Sequence, residues 1–373
     1  MLMLPFLKLM ADKKASDLFF SCGAPPQIKI DGHTLPVNDK PLSAENVQRL
    51  AHSLMSPEQI EEFERELEMN FGTAVDELGN YRVNIFRQRG SIGIVIRFIA
   101  PKIPSLGQLN LPETLKELTS LKRGLIFVVG ATGSGKSSTV AAMIEQRNQT
   151  QTGHILTVED PIEFIFEHKR SLVNQREIGV DTHSYHNALK SAMREAPDVL
   201  MIGEIRDGET LTHAINYAQS GHLCISTLHG NNSYHALNRI ISFFPLENRN
   251  ALLMDLSAAL KAVVSQRLIP AKDGKRRPAL EVLINTTHIA DLIRNGEIDK
   301  IKEAIEASMT EGAQTFEQSL FRLYKDGLIS LEEALHNADS PTNLYWLINH
   351  DNSKPEASKP DDGESFAGFT LSH

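Results

Sequence analysis

The sequence predicts an α/β protein built on a P-loop core and preceded by a smaller α+β domain, and three observations carry that prediction. The apolar pattern changes at Gly124, from hairpin-forming strands interrupted by two helices to short buried strands that alternate with helices. The apolar run 125–129 leads directly into Gly130-Ala131-Thr132-Gly133-Ser134-Gly135-Lys136-Ser137, a G-x-x-x-x-G-K-S loop, and Ser138 continues into a helix-favouring segment. Between the two regions Pro101, Pro104 and Pro112, with Gly107 among them, break every periodicity. The expected divisions are 1–100 for the first domain, 101–123 for a linker, 124–350 for the core with its C-terminal helices, and 351–373 for a tail.

Taken in order, residues 1–10 read as an amphipathic helix, and residues 15–20 and 27–30 as strands. The second strand runs into an Asp31-Gly32 turn with a return strand at 34–37. Ser43 is a candidate N-cap, and Ser56-Pro57 starts a second helix with proline in its first turn. Strands follow at 71–75, 81–87 and 92–98. In the core, strands are expected at 125–129, 154–158, 199–202, 223–227 and 279–284. Helices are expected at 247–265, 289–294, 298–309, 315–325 and 330–337. The tail holds five acids against two lysines among Ser, Pro and Gly, a composition that favours disorder.

At 373 residues, with 41% hydrophobic and 23% charged residues, the chain has the material for two buried cores. A formal net charge of −9 and the lack of basic–aromatic interleaving argue against nucleic acid as a partner. Cys22 and Cys224 lack metal-ligand spacing, which fits a reducing compartment. No apolar run reaches the roughly 18 residues of a membrane span, and residues 1–10 lack the basic leader of a signal peptide, so a cytoplasmic protein is expected.

The glycines of the loop let the backbone aim its N–H groups at a polyphosphate, and the following helix adds the positive end of its dipole. Lys136 would reach the β/γ-phosphates, and the Ser137 hydroxyl would ligate Mg²⁺. The run Ala196 to Asp207 supplies an apolar strand ending at Glu204, which would orient or activate water; a surface ion pair with Arg206 is the alternative. Glu159-Asp160-Pro161-Ile162-Glu163 crowds three carboxylates that a hydrated Mg²⁺ would relieve, unless the turn is merely solvated. His222 and His229 flank a short strand, and Thr227 with His229 is placed to sense a γ-phosphate, although histidines are most often structural. Arg82, Arg87, Arg89 and Arg97 fall in the last strands of the first domain, where they are either solvated or act as arginine fingers on a neighbour's nucleotide.

Together these stretches resemble a known family. Ala15-Ser16-Asp17-Leu18, Tyr81-Arg82-Val83-Asn84, the loop 130–137, the run 155–164, Val173-Asn174-Gln175-Arg176-Glu177, Gly203-Glu204-Ile205-Arg206-Asp207 and Gly221-His222 through Thr227-Leu228-His229 are similar to the type IV pilus retraction ATPases, the PilT/PilU branch of the secretion ATPases. The resemblance covers about residues 5–345. It implies a PAS-like N-terminal domain, a RecA-like P-loop ATPase core and a hexameric ring. It implies that ATP is held by Gly130, Ala131, Thr132, Gly133, Ser134, Gly135, Lys136, Ser137, Ser138, Glu159 and His222, with Mg²⁺ at Ser137 and Glu159 directly or through water. Glu204, Glu163, His229, Arg82 and Arg97 become the implied catalytic set. The implied partners are other copies of the chain, a principal retraction ATPase and an inner-membrane platform protein, with only peripheral contact to the membrane. Two departures sharpen the branch. Two cysteines cannot build the tetracysteine zinc module usual in extension relatives, which favours retraction over extension. The family's Ala-Ile-Arg-Asn-Leu-Ile-Arg-Glu helix reads His288-Ile289-Ala290-Asp291-Leu292-Ile293-Arg294-Asn295, which with the acidic tail beyond Asp351 points to the accessory PilU type. Rival readings are a nucleotide-binding coupling subunit with little hydrolysis of its own and a DNA-translocating ATPase.

Overall fold

The computed structural model describes residues 2–30, 32–75, 78–99 and 102–350. Asp31 of the expected turn, Pro101 of the linker and the tail 351–373 lie outside the described residues.

The first domain runs α1 (Leu4–Asp12), β1 (Asp17–Ser21), β2 (Gln27–Ile30), β3 (His33–Pro36), α2 (Ala44–His52), α3 (Pro57–Glu66), β4 (Glu68–Val75), β5 (Gly79–Gln88) and β6 (Ser91–Ile99). Ser43 caps α2 by accepting from the Asn46 N–H, and Ser56 with Gln59 forms a reciprocal capping box on α3. The strands form one antiparallel sheet in the order β3-β2-β1-β6-β5-β4. Alternation along β5 and β6 sends Tyr81, Val83, Ile85, Ile94 and Ile96 into a core shared with Leu7 and Met10 of α1, Val47 of α2 and Phe63 of α3. The same alternation puts Arg82 and Arg97, which are directly paired in register, on the opposite face.

The core domain continues with α4 (Thr114–Thr119), β7 (Gly124–Val129), α5 (Lys136–Thr150), β8 (Gly153–Glu159), β9 (Ser171–Glu177), α6 (Tyr185–Ala192), β10 (Val199–Ile202), α7 (Gly208–Gln219), β11 (Leu223–Leu228), α8 (Ser233–Ser242), α9 (Arg249–Ala259), β12 (Leu260–Pro270) and β13 (Arg276–Ile284). Helices α10 (Thr287–Arg294), α11 (Ile301–Glu306), α12 (Phe316–Lys325), α13 (Leu331–His336) and α14 (Pro341–His350) follow. The sheet order is β13-β12-β7-β11-β10-β8-β9, parallel throughout except for β13. Strand β7 is buried on both faces. Leu125, Phe127 and Val129 join one apolar cluster with α7, α8 and α9, and Ile126 and Val128 join a second with α5.

Several elements differ from the expectation, strand β9 and helix α14 being additions to it. The helix expected over 247–265 ends at Ala259, because Leu260 onward pairs with β7, and Val263 and Val264 fill the two opposite clusters. The helix expected over 298–309 is a 3-10 turn followed by the short α11, with Met309 beyond it fully exposed. In the segment 101–123, expected as a linker, Leu106, Leu111, Leu115 and Leu118 are buried against β7 and α5. Its prolines break periodicity, but its leucines still gain about 25 cal/mol for each Å² of apolar surface withdrawn from water.

Candidate active site

Parallel strands carry their C-terminal ends to one edge of the sheet, so the loops after β7, β8, β10 and β11 converge there. After β7 the chain turns through the glycine loop into α5, whose first residue is Lys136. A side chain at position 130 has no room, since its Cβ would lie 2.3 Å from Ser134 Oγ and 2.7 Å from the Gln266 carbonyl oxygen. Gly133 and Gly135 adopt φ of +79° and +87°, the left-handed region that favours glycine. The Lys136 ammonium donates to the carbonyls of Gly130 at 2.8 Å and Ala131 at 2.9 Å, which holds it over the loop. Burial lowers its pKa, opposed by the negative charges of Glu204 and Glu163.

A residue that sequence reasoning missed fixes this loop from behind. Gln266 of β12 donates to the Ser134 carbonyl and accepts from the Thr139 hydroxyl of α5, both at 2.7 Å. Its sequence context gave no signal, because the helix expected over 247–265 left no strand on which to place it.

Glu159 ends β8 and is 6% exposed. It accepts from the Thr157 hydroxyl at 2.7 Å and from the Gln175 amide at 3.1 Å, yet burial outweighs these bonds and pushes its pKa up to about 7. Glu163 lies exposed in the following turn. Glu204, just beyond β10, divides its carboxylate between two partners. One oxygen is 2.9 Å from His229 Nε2 and the other 2.7 Å from Arg206 Nε. Arg206 also reaches Asp160 at 3.1 Å, tying the β8 turn to the β10 turn. The ion pair between Glu204 and Arg206 that the sequence left as an alternative therefore exists, but within a network that keeps the Glu204 side chain 16% exposed.

These groups line one cleft of about 570 Å³. It brings together Thr132, Gly133, Gly135, Lys136, Ser137 and Ser138 with Glu159, Glu163, Glu204 and His229. Gly130 lies at the root of the loop, while Ala131 and Ser134 line an adjoining hollow of about 300 Å³. Arg97 joins the cleft from the N-terminal domain of the same chain, its Nε donating at 2.8 Å to the buried Asp17. Arg82 stops short of the lining. Its Nη2 donates to the Ile162 carbonyl at 3.3 Å, and burial lowers its pKa against the pull of Glu163 and Glu177. His222 is not brought in. It precedes β11 at the opposite edge of the sheet, about 20 Å of extended strand from His229, where its ring packs on Tyr217 and bonds Ser220. Arg276 of β13 also lines the cleft, and nothing in its sequence context marks it.

The site suits a nucleoside triphosphate. A loop with no room for a Cβ at Gly130 or Gly135, a helix N-terminus and a lysine provide for the phosphates, and a buried Ser134 hydroxyl without a partner lies within the loop itself. The Ser137 hydroxyl and the Glu159 carboxylate are hard oxygen donors of the kind Mg²⁺ takes.

A family model described as "Type II/IV secretion system protein" matches residues 90–335. The chain is 48% identical to the "Type IV pilus ATPase PilU" of Pseudomonas aeruginosa, over 92% of this chain and 90% of that one. It is 40% identical to the "Type IV pilus retractation ATPase PilT" of the same organism, over 91% and 98% of the two chains. Among solved structures, the "Crystal Structure of the Pilus Retraction Motor PilT and Bound ADP" superposes with a TM-score of 0.86 at 42% identity, covering 92% of this chain and 98% of that one. The chain belongs to the type II/IV secretion system proteins and, within them, to the type IV pilus retraction ATPases of the PilT/PilU branch.

Proposed function

We propose that this chain is an ATP-hydrolysing motor subunit of a hexameric ring that powers or assists type IV pilus retraction, in the accessory role of its PilU relative. The observation that carries the reading is the placement of Glu204 in one cleft with Lys136 and between His229 and Arg206. Such a carboxylate accepts the proton of an attacking water, and Lys136 with the loop N–H groups meets the charge on the transferred phosphoryl group. Ser137 and Glu159 would hold Mg²⁺, which would supply further charge neutralisation at the phosphates. His229 orients Glu204, and Arg97 and Arg82 present positive charge from the first domain.

By analogy with those relatives, the ring works on an inner-membrane platform protein from the cytoplasmic face, beside a principal retraction ATPase. Among the described residues, no helix is long and apolar enough to cross a membrane, which fits a peripheral attachment. The accessory role is favoured by α10, where Ile289, Leu292 and Ile293 are buried and His288 is exposed. The departure at His288 therefore changes what this helix offers a partner, not how it packs.

The test measures ATP turnover of the purified chain, alone and with a principal retraction ATPase, against Glu204→Gln. Turnover absent under both conditions, with nucleotide still bound, would leave the coupling-subunit reading in its place. Mixing Arg97→Ala with Glu204→Gln subunits asks whether sites are shared between neighbours, and no recovery of activity would exclude complementation in trans.

A further inference from the structure

Away from the nucleotide cleft, α6 and α7 bring three metal-ligating side chains together on the surface. His186 stands in the first turn of α6, and Glu209 and His213 lie one turn apart on one face of α7. Their donor atoms all fall within 4.8 Å of one another, the one such group of His, Cys, Asp and Glu among the described residues. His186 Nδ1 is already 2.6 Å from Glu209 Oε1, and the His186 and His213 rings meet edge to face at 5.8 Å. Beneath them Ala188, Leu189 and Ala192 of α6 pack in one buried cluster with Leu211, Ala214 and Ile215 of α7. The two helices thus hold the three residues' backbones at a fixed spacing before any ion arrives.

We propose that His186, Glu209 and His213 form a binding site for a divalent transition metal of the zinc class. Two imidazoles and one carboxylate are the borderline donor set that Zn²⁺, Co²⁺ and Ni²⁺ take. Mg²⁺ and Ca²⁺ demand oxygen, and nothing here offers the thiolate or thioether that selects Cu(I). At metal–ligand distances of about 2.0–2.2 Å, tetrahedral donors stand roughly 3.3 Å apart. The widest pair must therefore close by at most about 1.5 Å, within reach of side chains that can change rotamer. Three protein ligands leave the fourth position to water or another donor.

The location ties the site to the motor. Helix α7 begins at its Asp207 N-cap, directly after Arg206, and Tyr185 next to His186 sits so close to Gly203 that a Cβ there would be 3.0 Å from its hydroxyl. An ion bridging α6 and α7 therefore fastens the two helix starts that flank Glu204.

The experiment titrates tag-free, chelator-stripped full chain with Zn²⁺ by calorimetry in competition with a chromogenic chelator, and repeats it with Co²⁺ read by visible absorption. Outer-shell partners alone are worth roughly 10- to 100-fold in metal affinity. One ion per chain is expected, with binding weakened at least about tenfold in His186→Ala and in His213→Ala, and unchanged in His183→Ala. Glu209→Gln and His213→Gln, with fold checked by circular dichroism, guard against loss through unfolding. No stoichiometric binding, binding untouched in both histidine variants, or displacement by equimolar Mg²⁺ would each overturn the proposal.

Discussion

The Glu204 carboxylate lies 2.9 Å from Nε2 of His229, a contact that joins the end of β10 to the end of β11 across the cleft floor. Positioned proton transfer is worth about 10²–10⁴ in rate. Glu204→Gln is therefore expected to lower ATP turnover by at least about 100-fold while a fluorescent ATP analogue still binds within a few-fold of the native affinity. A variant that turns over normally would remove Glu204 from the chemistry.

Lys136 has two carbonyl acceptors in its own loop and faces the carboxylates Glu204 and Glu163. Charge-assisted hydrogen bonds are worth about 1.5–3 kcal/mol, so Lys136→Ala should weaken nucleotide binding by roughly 10- to 150-fold. Equilibrium fluorescence titration measures this, and unchanged affinity would contradict the assignment of the loop.

The raised pKa of Glu159 makes stability depend on pH with a definite sign. Between its ordinary value and about 7 the folded chain holds a proton that the unfolded chain has released, so ν_N exceeds ν_U and stability falls as pH rises through this window. Above about 7 the cost of the buried charge is fully present, at most about 3–4 kcal/mol. Glu159→Gln should accordingly raise the melting temperature more at pH 8 than at pH 5.5. Equal shifts at the two pH values would mean that Glu159 ionises freely.

Arg97 is the partner of Asp17, whose side chain is 4% exposed and whose other oxygen accepts from the Ser16 hydroxyl. Arg97→Ala strands that carboxylate and is expected to cost roughly 1–2 kcal/mol of stability, in addition to turnover. Asp17→Asn in the same chain should restore most of the stability and none of the turnover. Thermal melts and rate assays on the three variants separate the two roles, and joint recovery would make Arg97 purely structural.

The loop, the strand leading to Glu204 and the acidic turn at Glu159 were legible because each is written in consecutive residues. Strand β9 was not, because its sequence Ser171-Leu172-Val173-Asn174-Gln175-Arg176-Glu177 does not alternate apolar with polar: Leu172 is exposed and Ser171 buried at the sheet edge. Helix α9 was overrun because the apolar residues after Ala259 suit helix and strand alike, and the open edge of β7 decided between them. Gln266 and the bridging role of Arg206 depend on which strand lies beside which, and sequence spacing does not encode that, whereas the distance of His222 from the cleft was already implicit in its place at the far end of β11.

The buried leucines of the segment after β6 set a mechanical limit. Ile99 is still in the N-terminal sheet, and Leu106, seven residues on, is already locked into the core of the motor. A chain of that length spans on the order of 25 Å when fully drawn out. The first domain is therefore held on a short leash. Its tether keeps it near its own cleft, where Arg97 lies, and away from a remote one, and any nucleotide it serves in another subunit has to be delivered to it by the packing of the ring.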